Sequence, residues 1–190
     1  MNKLRLLKDQ DDYIKKLSDD NIINILGSKG SGKTTSSLEY INDDDYIVVN
    51  GDRLLELPTD EREDKELTYI RKRLKDKFGT IEEGEKFVDC YNEIVDYILG
   101  KKKKGLIEGN IIQDMDPLLL KGTVIIKRTA VLKSFIRAVK RDYKNKYFMD
   151  LEKKQHKYLY KLTRLYKISK RRLSVFKQAK EIDKIIDKLE

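Results

Sequence analysis

The chain reads Gly27-Ser28-Lys29-Gly30-Ser31-Gly32-Lys33-Thr34, a stretch that fits the pattern G-x-x-x-x-G-K-[ST] at every fixed position. An apolar run, 21–26, precedes it, and residues 34–40 follow it with the character of a helix. The pattern requires this strand–loop–helix context. Glycines at this spacing let successive backbone amides point inward around phosphate oxygens. The stretch therefore predicts a phosphate-binding loop, residues 27–34, between a buried strand and a helix.

The phosphate loop predicts a bound nucleoside triphosphate, which we expect to be ATP, together with Mg²⁺. Lys33 should bridge the β- and γ-phosphates, and the Thr34 hydroxyl should ligate the magnesium ion. Thr35 can reach an α-phosphate oxygen. The positive end of the following helix adds its dipole to the attraction. A glycine-rich turn without a ligand is the alternative, but Lys33 and Thr34 would serve no purpose in it.

Three further apolar runs have the length and composition of buried strands: residues 46–50, 106–109 and 123–127. Stretches with helical spacing lie between or after them, at 53–57, 60–78, 81–99, 129–147 and 150–189, the last with a break inside. Strands that alternate with helices specify an α/β fold with a parallel sheet. We expect a three-layer sandwich of the P-loop NTPase type, with a short sheet of about four to five strands and a helical C-terminal extension.

This organisation predicts three segments along the chain. Residues 1–128 should form the core, 129–148 a basic helix of the lid type, and 149–190 a basic helical extension that packs on the core or projects from it. The helical C-terminal third offers no candidate for a fifth strand.

The composition argues against several other classes of protein. No apolar run approaches the roughly 18–20 residues of a membrane span, and the opening MNKLRLLKDQDD lacks the apolar core of a signal peptide. The only cysteine is Cys90 and the only histidine is His156, which excludes an internal disulfide, a multi-cysteine zinc site and a histidine-cluster metal site. A Ser-His-Asp triad does not fit a histidine in a lysine-rich helix. We expect a cytoplasmic protein without a membrane partner.

The net charge of +9 is unevenly distributed along the chain. Residues 133–180 carry 17 Lys and Arg against 3 Asp and Glu, whereas residues 1–132 are slightly acidic. Such an asymmetry indicates a polyanionic ligand, either nucleotide phosphates or a nucleic-acid backbone. Aromatic residues interleaved with these cations would suit single-stranded DNA or RNA, but they would equally suit a helix packed on the core.

The second strand suggests what happens to the triphosphate. Asp52 follows its carboxyl end, where ligands of open α/β sheets bind. A carboxylate there can accept the proton of a substrate hydroxyl that attacks the γ-phosphate, and Arg53 can hold the substrate or orient Asp52. Asp52 as a plain turn residue and Arg53 as a solvated side chain are the alternatives. The chain has no N-K-x-D guanine motif and no apolar strand ending in Asp-Glu, which argues against GTPases and motor ATPases.

The arrangement strand–GSKGSGKTT–helix–VVNGDRLLEL resembles the P-loop kinases that include zeta toxins, polynucleotide kinases, chloramphenicol phosphotransferase and gluconate kinases. The resemblance covers about residues 1–130. In these kinases an aspartate after the second strand is the general base, and Asp52 matches it. The IEG at 107–109 is similar to the pattern of nucleoside kinases, so the resemblance implies that Glu108 supports the magnesium ion through its bound water. Asn110 and Gln113 lie in the following loop and could touch the substrate.

A basic helix follows the fourth strand. Lys133, Arg137 and Arg141 are spaced by four residues, so they share one face. The transition state of phosphoryl transfer needs cations over the γ-phosphate, and in the kinases named above a helical lid supplies them. We therefore assign catalytic roles to Arg137 and Arg141, with Arg128 next, against the alternative of a solvated basic face.

Together these features predict a magnesium-dependent phosphotransferase that moves the γ-phosphate of ATP to a hydroxyl or phosphate acceptor. The acceptor would be a nucleoside, a nucleotide or a nucleic-acid group, including a modified base in DNA. The alternative is a nucleic-acid-binding ATPase, or a nucleotide-switched module of a larger assembly.

Overall fold

The computed structural model describes residues 13–16, 21–55, 65–79, 86–113, 115–144 and 154–189. Its five strands are β1 (Tyr13–Lys16), β2 (Ile22–Gly27), β3 (Tyr46–Asn50), β4 (Lys104–Glu108) and β5 (Thr123–Lys127). Its α-helices are α1 (Lys33–Ser37), α2 (Gly51–Leu55), α3 (Lys65–Phe78), α4 (Phe87–Gly100), α5 (Asn110–Gln113), α6 (Val131–Lys144) and α7 (Lys154–Leu189). Two short 3₁₀ helices cover Leu38–Tyr40 and Pro117–Leu119. The α/β class is confirmed.

The five strands form one mixed sheet in the order β1-β5-β2-β4-β3. β2, which leads into the phosphate loop, lies at the centre and pairs in parallel with both β4 and β5. β3 extends the parallel part beyond β4. The expectation of a purely parallel sheet is wrong at one edge, because β1 pairs antiparallel with β5. The fifth strand therefore comes from the N-terminal part of the chain.

The sheet register aligns the carboxyl ends of the parallel strands. Gly27 pairs with Lys127 at the ends of β2 and β5, and Asn50 pairs with Glu108 at the ends of β3 and β4. These ends meet at one edge of the sheet, and the segments that follow them all start there. The sequence places a polar residue or a glycine at each end. The strand interiors are buried and, apart from Asn24 in β2, apolar, as expected for strands covered on both faces.

The core has two unequal parts. The larger cluster contains residues of β2–β5 that face α3, α4, α5 and α7, with Tyr91, Ile94 and Ile98 of α4 fully buried at its centre. The smaller cluster includes Ile23, Ile25 and Ile125 on the alternate positions of their strands. Alternate residues of a strand point to opposite faces, so each of the strands β2–β5 contributes side chains to both clusters. No helix within the described residues is long and apolar enough to cross a membrane.

Helix α7 contributes Val175, Ala179 and Ile182 to the larger cluster. Ile168, Val175 and Ile182 are each at most 1% exposed. The guanidinium carbon of Arg128 lies 3.5 Å from the ring centre of Phe176 and 4.6 Å from that of Tyr13, which ties α7 to the end of β5 and to β1. The helix runs from Lys154 to Leu189 without the break that its sequence predicts. The predicted helical residues at 60–64, 81–85, 145–147 and 150–153 lie outside the described parts of the chain.

Candidate functional site

The phosphate loop leaves the sheet at the end of β2 and lies beneath the start of α6. At Gly30 the backbone has φ +82°, and a Cβ there would come within 2.3 Å of the carbonyl oxygen of Ser134. Only glycine permits this approach, because a side chain would collide with the α6 backbone. Thr129 fixes the same junction by donating its hydroxyl to the carbonyl of Ser31 at 3.1 Å. The loop conformation and the position of α6 therefore depend on each other.

Lys33 lies at the centre of a group of charges. Its ammonium donates to the carbonyl oxygens of Gly27 at 2.8 Å and Ser28 at 3.3 Å, which keeps it inside the loop. Burial lowers the pKa of Lys33, and the negative charges of Glu108 and Asp52 oppose that effect. Positive charges from other elements lower this pKa further, those of Arg171 on α7 and Arg141 on α6. The side chains around the ammonium thus include both anions and cations from four elements.

Glu108 is the most deeply buried carboxylate near Lys33, with 1% of its surface exposed. Its Oε1 accepts hydrogen bonds from the Thr34 hydroxyl at 2.8 Å and from the Asn50 amide at 2.7 Å. Its Oε2 is buried and has no hydrogen-bond partner among the described residues. Burial raises the pKa of Glu108, while Lys33 and the bond from Thr34 act in the opposite direction. An oxygen so placed can accept one further hydrogen bond.

The residues present fit a magnesium ion that is bound together with a nucleotide. Within the described ranges no group of three or more His, Cys, Asp or Glu side chains could hold a metal ion by itself. Magnesium commonly keeps several waters and binds through one or two protein groups plus substrate phosphates. The Thr34 hydroxyl could serve as the direct ligand, and the buried Oε2 of Glu108 could accept a hydrogen bond from a metal-bound water.

Asp52 comes to the same edge of the sheet from the first turn of α2. Its carboxylate is exposed, and its Oδ1 lies 3.1 Å from where a Cβ would stand at Gly109, whose φ is +99°. A glycine directly after Glu108 therefore lets the two carboxylates approach each other. The charge of Asp52 accordingly raises the pKa of Glu108, although burial is the larger cause.

A cleft adjoins these groups on the side of α1. The apolar members of its lining come from β3, α3, the 3₁₀ helix Leu38–Tyr40 and the residue after it, and the polar members come from α1, β3 and α2. The lining residues are Thr34, Ser37, Leu38, Ile41, Val48, Asn50, Arg53 and Leu67. The cleft thus has an apolar wall next to Thr34 and Asn50, the two residues that donate hydrogen bonds to Glu108. Arg53 also lines the cleft.

The cations predicted to act on the transferred phosphate lie in different surroundings. Arg141 belongs to the group around Lys33, and the Arg137 guanidinium lies 3.8 Å from the Cβ position at Gly32, against the phosphate loop. Arg128 is stacked between two aromatic rings on the α7 side of β5, which gives it a packing contact. Lys133 is exposed on α6.

The residues after β4 are arranged differently from the prediction. They form the short helix α5 instead of a loop, so that expectation is wrong. Gln113 is buried, and its amide donates to the carbonyl of Gly27 at 2.6 Å beneath the phosphate loop. The side chain of Asn110 lies outside the described part. Ser28 is buried, whereas Lys29 and Thr35 are exposed.

One residue of the site, Asn50, was not among the residues predicted from the sequence; its amide donates to Glu108. Asn50 is the last residue of a buried strand beside Glu108, and its polarity at that position was the available signal.

Comparison with protein-family models finds no match for this chain, and comparison with curated proteins finds none either.

Proposed function

We propose that the chain is a magnesium-dependent phosphotransferase that moves the γ-phosphate of ATP to a hydroxyl or phosphate acceptor. The observation that supports this most strongly is the hydrogen-bonded cluster of Thr34, Glu108 and Asn50 next to the Lys33 ammonium. It brings a hydroxyl, a buried carboxylate and a lysine together at the end of a glycine-rich loop. Phosphoryl transfer needs these groups to position the phosphates and to neutralise their charge.

The donor half of the reaction would use residues 27–35. Backbone amides of the loop bind the phosphates, and Lys33 moves from its carbonyl partners to the β- and γ-phosphate oxygens. Thr34 and Glu108 hold the magnesium ion, which neutralises charge on the phosphates when it is bound. Arg137 and Arg141 on α6 approach the loop from the side of α6 and stabilise the charge that spreads over the transferred group.

The acceptor half would use the cleft beside α1. Asp52 accepts the proton of the attacking hydroxyl, and the oxygen–phosphorus bond forms as the bond to ADP breaks. The apolar wall of Leu38, Ile41 and Val48 suits a flat ring, and Arg53 at the border suits an acceptor with a polar or anionic group. This combination favours a nucleoside, a nucleotide or the end of a nucleic acid as the acceptor.

The test is transfer of label from γ-labelled ATP, with magnesium, to a panel of acceptors. The panel contains nucleosides, nucleoside monophosphates, 5′-hydroxyl oligonucleotides, hydroxymethylated DNA, gluconate and aminoglycoside alcohols. We expect label on one class, lost in Asp52→Asn while ATP still binds. Release of free phosphate alone, at the same rate in Asp52→Asn, would contradict the proposal.

A second function, a nucleotide-dependent module that binds nucleic acid, is favoured by one observation. Tyr166 is 66% exposed on α7, and Lys161 and Lys167 are exposed on the same helix. An exposed aromatic ring beside cations suits single-stranded nucleic acid. This function predicts oligonucleotide binding that weakens steeply with salt and weakens further in Tyr166→Ala. Failure to bind an oligonucleotide at low salt would rule it out.

A further inference from the structure

Asn50 is the last residue of β3, and the two polar groups of its side chain contact different elements. Its amide nitrogen donates to Oε1 of Glu108, at the end of β4, at 2.7 Å. Its carbonyl oxygen accepts from the backbone N–H of Arg53 in α2 at 3.1 Å. An ionised carboxylate only accepts and a backbone N–H only donates, so these neighbours permit one orientation of the asparagine amide.

The contact with Arg53 caps α2. Asn50 precedes the helix and Arg53 is its third residue, which is the arrangement of an asparagine N-cap. Arg71 of α3 holds the same turn from another side, because its guanidinium donates to the carbonyl of Arg53 at 2.5 Å. Asp52 lies between the capping residue and Arg53, so the cap helps to determine where its carboxylate is held.

The contact with Glu108 determines which of the two carboxylate oxygens is available. Asn50 and Thr34 both donate to Oε1, at 2.7 and 2.8 Å. Oε2 is buried and has no hydrogen-bond partner among the described residues. Loss of the Asn50 amide would leave the Thr34 hydroxyl as the one described donor to this carboxylate, which could then rotate. Oε2 would no longer be held in a fixed direction.

Close backbone packing brings the two contacts together. A Cβ at Gly109 would lie 3.0 Å from the backbone nitrogens of Gly51 and Asp52. A Cβ at Gly51 would lie 3.1 Å from the carbonyl oxygen of Glu108. The start of α2 therefore packs against the end of β4, and the Asn50 side chain forms hydrogen bonds to both elements.

We propose that Asn50 is a positioning residue that fixes Glu108 and α2 relative to each other. It would thereby set the distance between the magnesium side of the site and the base, Asp52. The inference rests on the proposed function, in which Glu108 orients a metal-bound water and Asp52 accepts a proton. Because both polar groups of Asn50 bind protein groups, it acts through these neighbours and is not itself a catalytic residue.

The experiment compares Asn50→Ser and Asn50→Ala with the wild-type full chain. Serine is a good N-cap but is too short to reach Glu108, so it keeps only the contact with α2, whereas alanine keeps neither contact. Asn21→Ala is the matched control, because Asn21 is an exposed asparagine before β2, at the opposite edge of the sheet.

Two readouts separate the two contacts. Hydrogen exchange of the Arg53 amide, measured by NMR without nucleotide, reports the cap. The dissociation constant of ATP, measured by calorimetry with magnesium and with EDTA, reports the orientation of Glu108. The ratio of the two constants is taken within one protein, so a partly unfolded sample does not alter it.

We expect Asn50→Ala to speed exchange of the Arg53 amide about 2–30-fold, the range for loss of an N-cap, and Asn50→Ser to leave it close to wild type. Both variants should weaken ATP binding about 10-fold with magnesium and leave it unchanged in EDTA. Asn21→Ala should change neither readout.

Three results would overturn the inference and leave the proposed function intact. They are ATP binding that weakens equally in magnesium and EDTA, ATP affinity that is unchanged in magnesium, and exchange of the Arg53 amide that is the same in Asn50→Ser and Asn50→Ala. A wild-type chain that does not bind ATP would overturn the proposed function, and the inference with it.

Discussion

Replacing Glu108 by glutamine separates the charge of this residue from its shape. The glutamine carbonyl can still accept the two hydrogen bonds from Thr34 and Asn50, at 2.8 and 2.7 Å. Making that acceptor neutral weakens the two bonds by roughly 2 kcal/mol in total. The change also removes the cost of a buried charge, which is several kcal/mol for a buried ion and is reflected in the raised pKa of Glu108.

These two effects oppose each other, so we expect the free energy of unfolding at pH 7 to stay within about 2 kcal/mol of wild type. Magnesium-dependent binding should respond differently. Loss of a carboxylate that orients metal-bound water typically costs 10–100-fold in metal affinity, about 1.4–2.7 kcal/mol. Glu108→Gln should therefore weaken ATP binding about 10–100-fold with magnesium and leave it unchanged in EDTA.

The assay is displacement of a fluorescent ATP analogue by ATP, with magnesium and with EDTA, together with urea unfolding of both proteins. The comparison with EDTA is the internal control, because phosphate contacts of the loop operate in both buffers. Equal weakening in both buffers would refute the role of Glu108 in metal binding. Unchanged affinity in magnesium would refute it as well.

Two further predictions concern the loop and the core. Gly30→Ala should strain the backbone by about 1–2 kcal/mol and push Ser134 of α6 away from the loop. ATP affinity should therefore fall at least about 10-fold by calorimetry; an unchanged affinity would show that the α6 contact is dispensable. Glu93→Gln should lower the urea midpoint at pH 7 and lower it less at acidic pH. Hydrogen bonds from Lys77 and Arg73 lower the pKa of Glu93, so its stabilising effect exists above the unfolded value and disappears as pH falls through the folded pKa. An equal effect at both pH values would contradict this.

The parallel part of the fold could be predicted because its signals are local. The strands at 46–50 and 123–127 have the predicted bounds, since a continuous β-branched run predicts a strand buried on both faces. β1 was missed because its four residues, YIKK, are too short to show a period. β1 forms by backbone pairing with β5, which lies more than a hundred residues away in the chain.

The candidate site likewise has one part that could be predicted from the sequence and another that could not. The loop at 27–34, between a buried strand and a helix, could be predicted because its residue types occur at fixed spacing within eight positions. The Thr34–Glu108–Asn50 cluster joins α1 to the ends of β3 and β4, which meet only after the sheet forms.

The most direct measurement is equilibrium binding of magnesium-ATP to the full chain and to Lys33→Met, with Lys72→Met as the control. Lys72 is an exposed lysine of α3, so its loss changes the net charge equally without touching the loop. The account predicts saturable binding to the wild type and to Lys72→Met, and loss of binding to Lys33→Met. Equal binding to all three proteins, or no binding to the wild type, would contradict it.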